Sequence, residues 1–147
     1  MFHPRFQRTV CALALAGCGG SSATLDKGAL AAKANTICAR TNSEIGQPKT
    51  LATTKAYGPY FTKLSRVLQA EHTSISALKP AGNLHGAVLQ YLDNEAKVIA
   101  ALDTASAKAL AGDAAGLTVA EQSSVDPGKL VLAAARTLGW AACQTGG

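Results

Sequence analysis

The chain has 147 residues, which is enough for one domain with a substantial core and too few for two. Its formal net charge is +5, but the basic residues are scattered and form no continuous block, so we expect no nucleic-acid partner. Aromatic residues make up only 5% of the chain, and the abundance of alanine favours helices over strands. The composition therefore predicts an all-α domain.

The first 17 residues have the pattern of a secretory signal peptide. Arg5 and Arg8 lie in an N-terminal stretch without acidic residues, and an apolar run over residues 9–16 follows. This run is well short of the ~20 apolar residues that a membrane-spanning helix needs. Its end, Leu15-Ala16-Gly17-Cys18, resembles the lipobox of bacterial lipoproteins.

The lipobox resemblance implies cleavage before Cys18 and a diacylglycerol thioether on that cysteine. We then expect a protein on the extracytoplasmic face of the cell envelope, held to the membrane by its lipid chains, because each buried CH₂ contributes ~0.8 kcal/mol. Residues 19–24 have the composition of a flexible tether, and a helical domain over residues 25–147 is expected to follow. The alternative is an ordinary signal peptide that happens to contain Cys18.

Two cysteines remain in the expected mature chain, Cys38 and Cys143. Thiols outside the cytoplasm meet oxidising conditions, so we predict a disulfide; two separate buried thiols are the alternative. Cys38 lies about thirteen residues, or about 20 Å, into the first predicted helix. An up-and-down bundle places the end of the last helix beside the start of the first. The bridge therefore requires that the last helix ends part-way along the first helix, or that the first helix begins below the bundle. The irregular stretch near Pro127 is a candidate for producing this shift.

Apolar residues at three- and four-residue spacing predict helices over about residues 25–45, 53–78 and 84–110, separated by Pro and Gly residues. The last segment is predicted in two pieces. A short helix over residues 114–122 is followed by a loop, and a second helix then begins with Asp126 as N-cap and Pro127 in its first turn and ends at Gly139. Short connections favour a small antiparallel bundle of about four helices, the last interrupted near Pro127.

Polar residues interrupt the apolar stripes of the second and third helices. His72 lies in one stripe, with Glu71 beside it, and Glu95 lies in the other. Pairing the two helices through their connecting turn places His72 opposite Tyr91, with Glu95 about one turn away. Together with Phe61, these residues predict a small ligand pocket in which burial and a carboxylate tune the histidine. The alternative is a satisfied ion pair, or polar side chains at the edge of the helix contact that reach solvent, with no ligand in either case.

The aromatic residues allow two interpretations, a ligand groove or plain core; they are Tyr57, Tyr60, Phe61 and Trp140. Motifs for other chemistries do not fit. Residues 127–130 resemble the end of a phosphate-binding loop, but Ser123 stands where its first glycine should be and Leu130 where its Ser or Thr should be. No G-x-S-x-G motif is present. His72 and His85 lack metal-ligand spacing, so we expect neither a metal nor another cofactor.

Residues 34–38 (Ala-Asn-Thr-Ile-Cys) and 138–143 (Leu-Gly-Trp-Ala-Ala-Cys) resemble small Ala-rich secreted helical proteins of actinobacteria. The resemblance implies a disulfide-closed helical domain and carries no catalytic residue across.

These features favour a lipid-anchored envelope protein without catalytic activity that binds another envelope protein or supports an envelope assembly. A large exposed apolar patch would mark that role. The alternative is a carrier for a small ligand or lipid, marked by a cavity of roughly 300 Å³ or more lined by the aromatics. The third hypothesis is an enzyme, which requires His72 and Glu95 to converge in an open cleft.

Overall fold

The computed structural model describes residues 23–46 and 50–145, and in these ranges the chain forms four α-helices and two short 3₁₀-helices. The helices are α1 (Lys27–Ile45), α2 (Tyr57–Ser76), α3 (Gly82–Ala111) and α4 (Ala114–Leu138), and the 3₁₀-helices cover Thr54–Ala56 and Ala141–Gln144. The predicted all-α bundle is confirmed. The predicted signal peptide and its lipidation site, Cys18, lie outside the described residues.

Short polar residues and glycines set the helix ends. Asp26 caps α1, since its Oδ1 accepts a hydrogen bond from the Ala29 N–H at 2.8 Å. Only Gly112 and Asp113 join α3 to α4. Gly112 adopts the left-handed backbone that favours glycine (φ 76°), and Asp113 accepts a hydrogen bond from the Gly116 N–H at 2.8 Å. This tight connection makes α4 run back along α3.

The central helix of the bundle is α3, which packs against both α2 and α4. The pairing with α2 is antiparallel, because Thr62 hydrogen-bonds to Ser106 at 2.7 Å while His72, further along α2, lies 3.0 Å from Glu95. The start of α1 is tied to the end of α2, where the Leu25 N–H donates to the Lys79 carbonyl at 2.6 Å. The helix α1 therefore runs antiparallel to α2.

Buried apolar side chains form two clusters along α3. The first cluster joins α1, the adjoining ends of α2 and α3, the end of α4 and the C-terminal 3₁₀-helix, and it includes Leu30, Ile75, Tyr91, Leu138 and Trp140. The second joins the start of α2, the end of α3 and the start of α4, and it includes Phe61, Leu102, Ala105, Leu117 and Ala120. The core interpretation of the aromatic residues is thus confirmed for Phe61 and Trp140.

The last helix is continuous, so the predicted interruption near Pro127 is wrong. Pro127 lies inside α4, and Asp126 is not an N-cap. The proline removes one helical hydrogen bond, which would disfavour a helix judged on local preference alone. Packing offsets this cost because both halves of α4 are held in apolar clusters, Leu117 and Ala120 before the proline and Ala134, Ala135 and Leu138 after it.

The predicted bridge is confirmed as a pair at bonding distance, since the sulfur atoms of Cys38 and Cys143 are 2.00 Å apart. The shift that brings Cys143 to the middle of α1 does not come from Pro127, because α4 is continuous there. Gly139 ends α4 with a left-handed φ of 75°, as predicted for a C-cap, and the C-terminal 3₁₀-helix then crosses to the middle of α1.

Asparagine side chains of α1 fix this crossing. The Ala142 N–H donates to Asn35 Oδ1 at 2.9 Å, and the Ala142 carbonyl accepts from Asn42 Nδ2 at 2.8 Å. These two bonds hold the backbone beside Cys143 against α1 from both sides. The chain end is therefore packed on the first helix by hydrogen bonds as well as by the bridge.

The double variant Cys38→Ala/Cys143→Ala should unfold more easily by ~3 to 5 kcal/mol, because the bridge joins residues 105 positions apart. Urea unfolding of the oxidised protein, the reduced protein and the variant measures the difference. Reductant should weaken the wild type and leave the variant unchanged. A variant as stable as the oxidised wild type would show that the bridge does not constrain the fold.

Candidate functional site

A cavity of about 170 Å³ lies between the two apolar clusters, where all four helices meet the C-terminal 3₁₀-helix. Its apolar walls are Ile45, Leu68, Val98, Val131 and Leu132, its polar lining is Thr41, Asn42, Glu71, Tyr91 and Glu95, and Gly128, Cys38 and Cys143 complete it. All four helices contribute half-buried residues to the lining, so the cavity is open to solvent on one side. A Cβ on Gly128 would meet no atom within 4 Å, which leaves that part of the wall open.

Two carboxyl groups form the polar wall of the cavity. Glu71 is 5% exposed and Glu95 only 3% exposed. The Tyr91 hydroxyl donates to Glu71 Oε1 at 2.7 Å, and His72 Nδ1 lies 3.0 Å from Glu95 Oε2. With both carboxyl groups ionised, Glu95 Oε1 has no hydrogen-bond partner among the described residues. Such an arrangement leaves a buried acceptor unsatisfied, which is costly.

A proton on Glu95 resolves this problem. Burial raises the pKa of Glu95 to about 9, and the negative charge of Glu71 and a hydrogen bond to Glu71 act in the same direction. At neutral pH the Glu95 carboxyl is therefore protonated and donates to Glu71. The remaining oxygen of Glu95, Oε2, lies 3.0 Å from His72 Nδ1 and accepts a hydrogen bond when that nitrogen carries a proton.

Tyr91 stays protonated in the same network. Burial raises the pKa of Tyr91 far above its usual range, and the charges of Glu95 and Glu71 raise it further. Its hydroxyl is therefore a permanent donor to Glu71. The Tyr91 ring packs edge-on against Trp140, with the ring centres 4.9 Å apart, so the donor is held in position by the core.

The structure places only part of the predicted pocket together. Tyr91 and Glu95 line the cavity, and half-buried His72 contacts Glu95 from beside it. Phe61 lies in the second apolar cluster and does not line the cavity. The expectation that His72 stands opposite Tyr91 is wrong by one position, since Glu71 occupies that place and His72 reaches Glu95.

Glu71 is the functional residue that the sequence interpretation missed. In the sequence it stands out only as the neighbour of His72, yet it is buried on the α2 face that also carries Val67 and Ile75. These three residues recur every four positions, which is a helical spacing of buried side chains. That spacing is the signal in the sequence that could have identified Glu71.

Large apolar side chains are exposed at five described positions, and they are spread over two helices. Leu89 and Leu110 lie on α3, about 30 Å apart along its axis. Val119 and Val125 lie on α4 and, at 100° per residue, point to different sides of it. Together with Leu130, they do not form one continuous apolar face in the part of the chain that the structure describes.

The chain matches no protein-family model, no curated protein and no solved structure. Within residues 23–46 and 50–145, no helix combines the length and the apolar character needed to cross a membrane. The same ranges contain no group of three or more His, Cys, Asp or Glu side chains arranged to hold a metal ion. The cavity and its carboxyl pair are therefore the basis for a functional proposal.

The protein should lose stability as the pH rises from about 4.5 to about 9, because unfolded Glu95 releases its proton in this window while the folded state retains it. The protonated Glu95 makes its full contribution to the free energy of unfolding below about pH 4.5. Above that pH, up to ~1.4 kcal/mol of this free energy is lost per pH unit. Urea unfolding at several pH values measures this effect.

Glu95→Gln should remove this component of the pH dependence, since the amide stays neutral and can still donate to Glu71. At pH 8 to 9 the variant should be more stable than the wild type. Glu121→Gln, at an exposed position of α4, is the matched control and should keep the wild-type profile. An unchanged pH profile in Glu95→Gln would contradict the assignment of the buried proton.

Proposed function

We propose that this protein binds a small ligand in the cavity that the four helices and the C-terminal 3₁₀-helix enclose. The observation that carries the proposal is the combination of an apolar-walled cavity with Glu95 Oε1, a buried carboxyl oxygen to which no group in the described residues donates. Ligand sites typically have this composition, in which apolar walls provide burial and a few polar groups orient the ligand.

The size of the cavity limits the class of ligand. A cavity of about 150 Å³ can bind benzene, so the cavity of about 170 Å³ fits roughly six to ten non-hydrogen atoms. It is smaller than the cavity expected for a lipid carrier, and Tyr91 is its single aromatic lining residue among those described. A compact ligand therefore fits better than an acyl chain.

Ligand binding is better supported than the protein-interaction role favoured by the sequence. An interaction surface would be marked by one large apolar patch, whereas the exposed apolar residues on α3 and α4 are spread apart. The cavity, by contrast, gathers lining residues from every α-helix. The cavity is therefore formed by the packing of all four helices together.

A carboxyl group of raised pKa beside a second carboxylate also occurs in general acid–base catalysis. The contact between His72 and Glu95 meets one part of the geometric condition for the enzyme hypothesis, since the two side chains converge, but His72 does not line the cavity. Ligand binding and catalysis differ in the compound that is recovered after incubation with the protein. A ligand recovered chemically unchanged supports binding, and a recovered product supports catalysis.

Val131→Phe should block the cavity and abolish ligand binding, because Val131 lines it and a larger ring would occupy its volume. Ligand-detected NMR with a library of compounds of roughly six to ten non-hydrogen atoms measures binding to the folded full chain. Val119→Phe, at a position of α4 that is 71% exposed, is the matched control and should bind like the wild type.

The cavity assignment fails if Val131→Phe binds the same compounds as the wild type with unchanged affinity. A circular dichroism melting curve confirms that each variant is folded. Mass spectrometry of the compounds after incubation distinguishes a bound ligand from a reaction product.

We further propose that this binding domain is lipid-anchored at the extracytoplasmic face of the cell envelope, through Cys18. The support is the order of charged, apolar and small residues that precedes Cys18 in the sequence. Such an anchor holds the domain at the membrane surface, because two or more acyl chains bind a bilayer firmly.

The intact mass of the chain extracted from its own membranes tests the anchor. Residues 1–17 should be missing, and Cys18 should carry diacylglycerol. Cys18→Ser should lack the lipid and leave the membrane fraction. A membrane-derived chain that keeps Met1 to Gly17, or that has an unmodified Cys18, would contradict the anchor.

A further inference from the structure

We infer that the cavity selects a ligand with one protonated amine, which replaces the proton shared by Glu95 and Glu71. This inference rests on the proposed ligand-binding function and adds the chemical class of the ligand. It follows from the polar lining of the cavity. This lining offers a ligand carboxyl oxygens that accept hydrogen bonds, whereas the Tyr91 hydroxyl already donates to Glu71.

Glu71 and Glu95 are the only carboxyl side chains in the described cavity lining, and that lining contains no Lys, Arg or His. Tyr91 already donates its hydroxyl proton to Glu71. His72 occupies Oε2 of Glu95 from outside the lining. Oε1 of Glu95, on a side chain that is 3% exposed, is left for a proton or for a donor brought by a ligand.

An ammonium group can take over this position without changing the net charge. Before binding, the pair consists of the Glu71 carboxylate and the protonated Glu95 carboxyl, with a net charge of about −1. A ligand R–NH₃⁺ enters, the O–H bond of Glu95 breaks, and the proton leaves to water. The two carboxylates and the ammonium together again carry about −1. A neutral ligand gains no comparable partner, because the shared proton already satisfies the pair.

The groups facing Glu95 come from every packed element. The neighbours with a titratable side chain are Glu71 and His72 on α2 and Tyr91 on α3. The other elements contribute side chains without a titrating group to the cavity: Thr41 and Asn42 from α1, Val131 and Leu132 from α4, and the bridged Cys38 and Cys143. The proton released on binding is therefore assigned to Glu95, with His72 as the neighbour to control for.

The apolar walls set the rest of the ligand. Leu68, Val98 and Val131 surround the space beside the carboxyl pair and offer no polar partner. The ligand is therefore a compact monoamine with a hydrocarbon body. A second charged group on that body would be buried without a partner, which is strongly disfavoured.

Pairs of isosteric amines and alcohols test the inference on the full oxidised chain: benzylamine with benzyl alcohol, cyclohexylamine with cyclohexanol, and pentylamine with pentanol. Calorimetry at pH 7.5 should show the amine of at least one pair binding at least tenfold more tightly than its alcohol. Titrations in two buffers of different ionisation enthalpy should show about one proton released per amine bound. The apparent Kd should fall about tenfold per pH unit between pH 6 and 8.

Single-residue variants show which side chain releases the proton when the amine binds. Glu95→Gln should lose both the amine preference and the proton release, while its binding of the alcohols shows that the cavity is intact. His72→Gln should keep the proton release, since the proton comes from Glu95. Glu121→Gln, exposed on α4, should behave as the wild type.

Three results would overturn the inference while leaving ligand binding in place. They are alcohols that bind as tightly as their amines, amine binding without proton release, and an amine preference that persists in Glu95→Gln. Failure of every amine, with other library compounds still bound in the cavity, has the same meaning. If no compound of any kind binds in the cavity, the proposed function fails as well.

Discussion

One buried proton determines how the middle of the bundle is built. Two carboxyl groups that meet in an apolar interior cannot both be charged at an acceptable cost, and here neither has a Lys or Arg partner among the described hydrogen bonds. The proton on Glu95 turns this repulsion into a hydrogen bond between α2 and α3. The neighbouring contacts follow from it, since Tyr91 donates to Glu71 and His72 reaches Glu95 from the edge.

The carboxyl pair is connected to the covalent closure of the fold. Cys38 Sγ lies 3.5 Å from Glu71 Oε1, and Tyr91 packs against Trp140 at 4.9 Å between ring centres. Trp140 follows the end of α4 and leads directly into the 3₁₀-helix that carries Cys143. The polar wall, the aromatic pair and the bridge therefore form one continuous set of contacts. A change at any of them reaches the cavity, because interiors are close-packed and transmit displacement.

The parts of this structure that depend on local rules could be predicted from the sequence. Helices α1 to α3 follow from apolar spacing and from caps such as Gly112, and Glu95 is conspicuous because it interrupts an apolar stripe. Pro127 misleads, since its local preference is outweighed by packing on both sides of α4. Glu71 and His72 are adjacent, and choosing between them requires knowing which side of α2 faces α3. The cavity could not be predicted, because four helices create it together.

The bridge links the cavity to the compartment proposed for the protein. Cys38 and Cys143 both line the cavity, and their bond fixes the C-terminal 3₁₀-helix against α1 as one of its walls. In a reducing environment that wall would keep the asparagine hydrogen bonds and its apolar packing but would lose its covalent tie to α1. An extracytoplasmic location supplies the oxidising conditions that the bridge needs. Export of the chain, as proposed from the residues that precede Cys18, would therefore place the cavity where the bridge in its wall can form.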